Sequence, residues 1–170
     1  MLQFLRKSEP PPNQLKRTYQ NELRALGRHC DDHQYRSIGI YEVSEGFILR
    51  AFTDISNPDS VEAIEVPDTD IQTLILKNFT ARRGAQLKSH SPLCPTGYED
   101  FLRALGYELE VNQAKAVAIQ EMVDVMAVTY LQQQSTSSDS YVWEPRSVNL
   151  TASDIQELVD EAFRRRGSAS

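Results

Sequence analysis

The pentapeptide Leu-Arg-Ala-Leu-Gly occurs twice, at 23–27 and at 102–106, each time four residues after a tyrosine, Tyr19 or Tyr98. Sliding the chain on itself by 79 residues aligns 19–52 with 98–131. Nine of those 34 positions are identical: Tyr19, Leu23, Arg24, Ala25, Leu26, Gly27, Gln34, Ile40 and Glu42 with their counterparts. Average composition gives about two such identities by chance. A second block matches at a shift of 84, pairing DIQTLILKNF (70–79) with DIQELVDEAF (154–163), and both blocks close on Arg-Arg-Gly, at 82–84 and 165–167. The change of shift places an insertion in the second copy, where QQQSTSSDS (132–140) sits. Such a repeat constrains the fold more than any local propensity. Whatever one copy forms the other must form too, and the two can bury their apolar remainders against each other.

The secondary structure of the unit can therefore be read twice. Leu15, Tyr19, Leu23 and Leu26, and likewise Tyr98, Phe101, Leu102 and Leu105, follow helical spacing. Gly27 and Gly106 fall where a left-handed residue would end that helix. RSIGIYEV (36–43) and KAVAIQEM (115–122) alternate at period two, and Ser-Glu-Gly at 44–46 is a hairpin signal. FILRAF (47–52) and MAVTYL (126–131) supply a second strand, and VEAIEV (61–66) a third, its Ile64 and Val66 aligning with Val148 and Leu150. A closing helix follows, with Asp68 as N-cap in the first copy and Thr151 in the second. Thr151 and Asp154 resemble a capping box.

The fold class expected is α+β: an α-β-β-β-α unit present twice, at 19–84 and 98–167, packed with pseudo-two-fold symmetry, its antiparallel sheets covered by helices. A linker at 85–97 joins the copies. A basic, proline-containing segment at 1–18 precedes them, and a short tail at 168–170 follows.

Composition narrows the function. The chain of 170 residues carries a net charge of −6. The first 18 residues are at +3, whereas 19–84 stand at −4 (7 basic, 11 acidic) and 98–167 at −6 (6 basic, 12 acidic). That balance disfavours unspecific binding to nucleic acid or anionic lipid. Two cysteines are too few for a secreted disulfide framework. The N-terminus has no signal-like apolar core, and no apolar run approaches a membrane span. A cytoplasmic protein with no membrane association is expected.

Candidate sites come from the shared residues first. Leu23, Leu26 and Phe79 with their counterparts read as core. Arg24 and Arg103 read as last-turn cations complementing the helix dipole, as do Arg82, Arg83, Arg165 and Arg166 at the end of the second helix. Their functional reading is a symmetric pair of basic spots for an acidic partner. Tyr19 and Tyr98 are expected half-buried with exposed hydroxyls. Glu42 and Glu121 follow the inward Ile40 and Ile119 at period two, and either meet a buried base or lie at the solvent end of a strand. A separate cluster is unshared: His29, Cys30, His33, His90 and Cys94 are all the histidines and cysteines in the chain. Four of the five would suit tetrahedral zinc, but the spacing matches no common zinc module. Glu108, Leu109 and Asn112 replace three of them in the second copy, so surface histidines and inert thiols are the expectation.

No glycine-rich phosphate loop, G-x-S-x-G or H-E-x-x-H is present, so no cofactor is implied and an enzyme ranks third. The order αβββα resembles that of double-stranded-RNA-binding domains, which often occur in tandem. Those domains hold phosphates with lysines at the start of the second helix, where this chain has PDTDIQ and TASDIQ. RNA binding is therefore the alternative. The small acidic unit also resembles secretion-chaperone-like dimers, which sheathe a client segment. The leading expectation is a non-catalytic binding or adaptor protein whose partner is another protein. The chain would be a monomer with a pseudo-dimer core, or a weak homodimer.

Overall fold

The computed structural model describes residues 16–80, 91–135 and 140–168, with 79, 80, 135 and 168 described by backbone alone. The expectations for Leu15, Phe79, Arg82, Arg83 and His90 lie outside what it describes. The elements are α1 (Tyr19–Asp32), β1 (Arg36–Val43), β2 (Gly46–Phe52), β3 (Val61–Pro67), α2 (Asp68–Thr80), α3 (Tyr98–Val111), β4 (Ala114–Glu121), β5 (Met126–Ser135), β6 (Tyr141–Leu150) and α4 (Ala152–Ser168). Among the described residues the fold is α+β, with four helices and one six-stranded antiparallel sheet in the order β3-β2-β1-β4-β5-β6. Period-two pattern alone does not decide whether the two sets of three strands share a sheet. They do, through β1 and β4.

Ile38, Ile40, Phe47, Leu49, Val117, Ile119, Met126 and Val128 point to one face of that sheet. There they form a single core with Leu23, Leu26, Ile71, Ile75, Phe101, Leu102, Ile155 and Val159 from the four helices. The side chains alternating with them, among them Tyr41, Ile48, Arg50, Ala118 and Thr129, are half-buried or exposed and lie on the opposite face. Burial of the inner face at roughly 1.5–3 kcal/mol per large apolar side chain is the main stabilising contribution. No described helix is long and apolar enough to cross a membrane.

β1 to β4 keep the expected boundaries to within one residue, whereas β5 runs on to Ser135 through part of the expected insertion and β6 already begins at Tyr141; the capping box is present. Asp154 N–H donates to Thr151 Oγ1 at 3.2 Å, and Thr151 N–H donates to Asp154 Oδ2 at 2.9 Å. Asp68 is the first residue of α2 rather than its cap. Phe163, expected in the core, is exposed, with the Arg166 guanidinium 4.5 Å from its ring centre. Of the linker, Ser91, Leu93, Cys94 and Gly97 are buried, so this end of it is packed into the fold.

Candidate functional site

The repeated pentapeptide builds a helix crossing. Gly27 and Gly106 do not end their helices: α1 continues to Asp32 and α3 to Val111. The left-handed residues that follow are glutamines, Gln34 (φ 54°) and Gln113 (φ 53°), another of the repeated identities. The glycines sit where α1 and α3 touch. A Cβ on Gly27 would lie 2.8 Å from the Tyr98 carbonyl oxygen, and one on Gly106 would lie 2.5 Å from that of Tyr19. Each helix thus presses a mid-helix glycine against the other's first turn, with Ala25 and Ala104 buried nearby in the sequence. The last turns then cap the partner's first turn. Asp31 accepts from the Tyr98 and Glu99 amides at 2.9 and 3.0 Å, and Glu110 accepts from the Tyr19 amide at 2.9 Å. A carboxylate at a helix N-terminus satisfies amides that have no partner within the helix and complements the dipole.

The strands repeat this reciprocity. β1 and β4 register over three pairs only, Gly39↔Gln120, Ile40↔Ile119 and Tyr41↔Ala118. One step further, Ile38 stands opposite Glu121 and Val117 opposite Glu42. Each strand carries an irregularity there, with Ser37 (φ 50°) and Ala116 (φ 54°) left-handed. The glutamate side chains take over the ladder: Ile38 N–H donates to Glu121 Oε2 at 3.0 Å and Val117 N–H to Glu42 Oε1 at 3.1 Å. Tyrosine hydroxyls complete the pattern, Tyr98 donating to Glu121 at 2.6 Å and Tyr19 to Glu42 at 2.8 Å. The tyrosine hydroxyls expected in solvent are therefore engaged inside the fold. Burial foremost, then the adjacent carboxylate, raises both phenols well above their ordinary titration range.

The two halves differ around these glutamates. Glu121 is buried and its second oxygen accepts the Ser91 hydroxyl at 2.5 Å. A cleft of about 420 Å³ opens beside it, lined also by Arg36, Ser37, Ile55 and Val123. With three donors already on the Glu121 carboxylate, its capacity as a free base in that cleft is small.

Arg165 and Arg166 stand in the last turn of α4 as expected, but Arg24 and Arg103 are not last-turn cations. Arg24 and Arg103 lie mid-helix on the α1–α3 crossing, and dipole complementarity does not apply there. Arg24 Nε donates to Glu99 Oε1 at 3.3 Å, and Arg28 approaches the other Glu99 oxygen at 3.5 Å. Arg103 Nε is buried without a hydrogen-bond partner. Burial first, then the charges of Arg24 and Arg166, lowers the Arg103 guanidinium to about 10.

Chain comparison adds no relative. Family models, curated proteins and solved structures were compared, and nothing matches.

Among the described residues the histidines and cysteines do not form a ligand set. His29 lies in α1, beyond the glycine expected to end that helix, and His33 is its C-cap, the two rings 4.0 Å apart. Burial, then His33 and Lys77, lowers the His29 titration point. Cys30 and Cys94 are fully buried, and burial raises both thiols. Among the described residues no three of His, Cys, Asp or Glu gather as a metal site would need.

Proposed function

We propose that this chain is a non-catalytic protein-binding module, formed by duplication of one αβββα unit and folded as an internal pseudo-dimer. What supports the duplication is the placement of the nine repeated identities. Tyr19, Glu42 and Ile40 with their counterparts meet at the β1–β4 junction. Ala25 and Gly27 with theirs lie on helices α1 and α3, whose crossing uses the two glycines. Residues that would each be ordinary alone serve the junction in reciprocal pairs.

The observation that carries a binding role is the edge strand β6. Tyr141, Trp143, Val142 and Val148 are exposed at 65, 40, 48 and 41%. Large apolar side chains gathered on one sheet edge mark an interaction surface rather than ordinary solvent-facing scatter. Tyrosine and tryptophan are the side chains that anchor protein interfaces, and an edge strand can extend its ladder to a partner's segment. Pro145 interrupts that edge, and Glu144 and Arg146 flank it, as in edges guarded against indiscriminate pairing. The non-catalytic part of the reading draws on how the reactive groups are occupied: Glu121, Tyr98 and Ser91 bond one another, and both thiols are buried. Duplex RNA is disfavoured because Asp68, Asp70 and Asp154 occupy the first turns of α2 and α4.

The test is quantitative capture from the cell of origin with wild-type chain and with a Tyr141→Ser/Trp143→Ser variant as bait. A partner enriched by the wild type and lost with the variant supports the reading. Equal recovery by both, or no partner for either, contradicts it.

A further inference from the structure

Glu121 is a buried carboxylate whose three donors are all neutral: the Tyr98 and Ser91 hydroxyls and the Ile38 amide. No ion pair among the described residues reaches it. A charge taken out of water is normally set against an opposite charge, because its desolvation is otherwise uncompensated. A carboxylate offers about four lone-pair sites. Two donors sit on Oε2 and one, the Ser91 hydroxyl, on Oε1, so a site is left on the oxygen that Ser91 holds. Glu121 and Ser91 both line the cleft of about 420 Å³.

The other walls of the cleft are mostly apolar. Ile55, Pro92, Met122 and Val123 line it, and Ile55, Met122 and Val123 are large apolar side chains left exposed. The repeated fold does not ask for this wall. Val123 lies in the turn between β4 and β5, and its counterpart at the shift of 79 is Ser44, an ordinary turn residue. A largely apolar enclosure with a convergent buried polar group is how sites for small organic molecules are built. Arg36 lines the cleft too, two residues before the amide that Glu121 holds, and forms no ion pair with Glu121. A carboxylate ligand drawn to Arg36 would bring a second negative charge beside a buried one, whereas an ammonium supplies the charge that Glu121 lacks.

We propose that this cleft binds a small organic amine in its protonated form, the ammonium donating to Glu121 Oε1 and the hydrocarbon lying against Ile55, Pro92, Met122 and Val123. The site does not rest on the β6 edge, none of whose described residues lines the cleft.

The experiment is methyl NMR of the full chain at pH 7 and constant ionic strength, titrated with n-hexylammonium chloride and, as matched probes, 1-hexanol and sodium hexanoate. An alkylamine is protonated at that pH, as lysine is. The Ile55 and Met122 methyl resonances should shift saturably, and hexylammonium should bind roughly tenfold more tightly than either matched probe, or better. Val123→Lys puts a cation on the wall at a side chain 88% exposed, where substitution leaves the core untouched, and should weaken hexylammonium by roughly tenfold. Glu121→Gln should bring hexylammonium down to the affinity of hexanol. If Glu121→Gln does not fold, the probe ranking and Val123→Lys carry the test. Equal binding of the probes, a preference for hexanoate, or undiminished binding to Val123→Lys overturns the proposal. So does the absence of a saturable shift, or a shift that spares Ile55 and Met122.

Discussion

Glu121 accepts the backbone amide of Ile38 at 3.0 Å, from the neighbouring strand of the other half of the chain. Its side chain thereby continues a ladder that the backbone abandons after three registered pairs. Glu42 does the same for Val117 at 3.1 Å, but the two glutamates are loaded differently. Glu121 uses both oxygens, one for Ser91 and the other for Tyr98 and Ile38, whereas the bonds to Glu42 converge on Oε1.

That difference sets the first prediction. Glu121→Gln must turn an amide N–H₂ toward at least one donor, and is expected to lose about 2–4 kcal/mol of stability. Glu42→Gln keeps a carbonyl for both Tyr19 and Val117 and should lose only about 1 kcal/mol. Urea unfolding of the two variants measures the contrast. Equal losses would count against the bonding described.

Gly106→Ala tests the crossing. In an unconstrained helix the change gains about 1 kcal/mol. Here the new methyl meets the Tyr19 carbonyl oxygen at 2.5 Å and the Gln20 Cα at 2.7 Å, both backbone atoms that cannot swing aside. A net loss of about 1–3 kcal/mol is expected by calorimetry. A stabilised variant would place the glycine outside the contact.

Alkaline titration separates the tyrosines. Burial, then the Glu62 hydrogen bond, pushes Tyr35 up from 10.0 to about 12, and Tyr19 and Tyr98 are raised further. A phenol raised in the folded chain contributes stability that is whole below pH 10 and is lost as the pH climbs through its folded value. Absorbance at 295 nm should therefore show Tyr19 and Tyr98 ionising only as the chain unfolds. Ionisation of all seven tyrosines near pH 10 in a still-folded chain is the contrary result.

The thiols should be silent. Cys30 and Cys94 are fully buried with raised titration points, so a disulfide reagent at pH 8 should label neither until denaturant is added. Prompt labelling of the native chain contradicts their placement.

Strands and helices were legible because period and turn signals are local: Ser44–Glu45 turns between β1 and β2 as read, and Thr151 with Asp154 caps α4. The glycines were misread for a physical reason. A glycine that ends a helix and one that admits another helix's backbone look alike along a sequence, and only the third dimension separates them. The stop instead rests on Gln34 and Gln113, for which no rule of thumb gives a left-handed preference. Glu42 and Glu121 were singled out by repetition, yet their donors lie 23 to 83 residues away and no spacing reveals such bonds. Asp31 and Glu110 are equivalent in charge but not identical at the shift of 79, so identity alone does not mark them and functional equivalence does. Arg103 was legible as half of a pair, but the burial of its Nε without a hydrogen-bond partner is a property of the helix crossing that no spacing reveals.

The central claim is that the two halves are interdependent, sharing a sheet at β1–β4 and a helix pair at α1–α3. Its most direct measurement is sedimentation equilibrium with circular dichroism on residues 1–84 and 98–170 expressed apart and then mixed. Each half alone should be unfolded or self-associated, and the mixture should form a folded one-to-one complex. Two halves that are each folded, monomeric and indifferent to one another would contradict it.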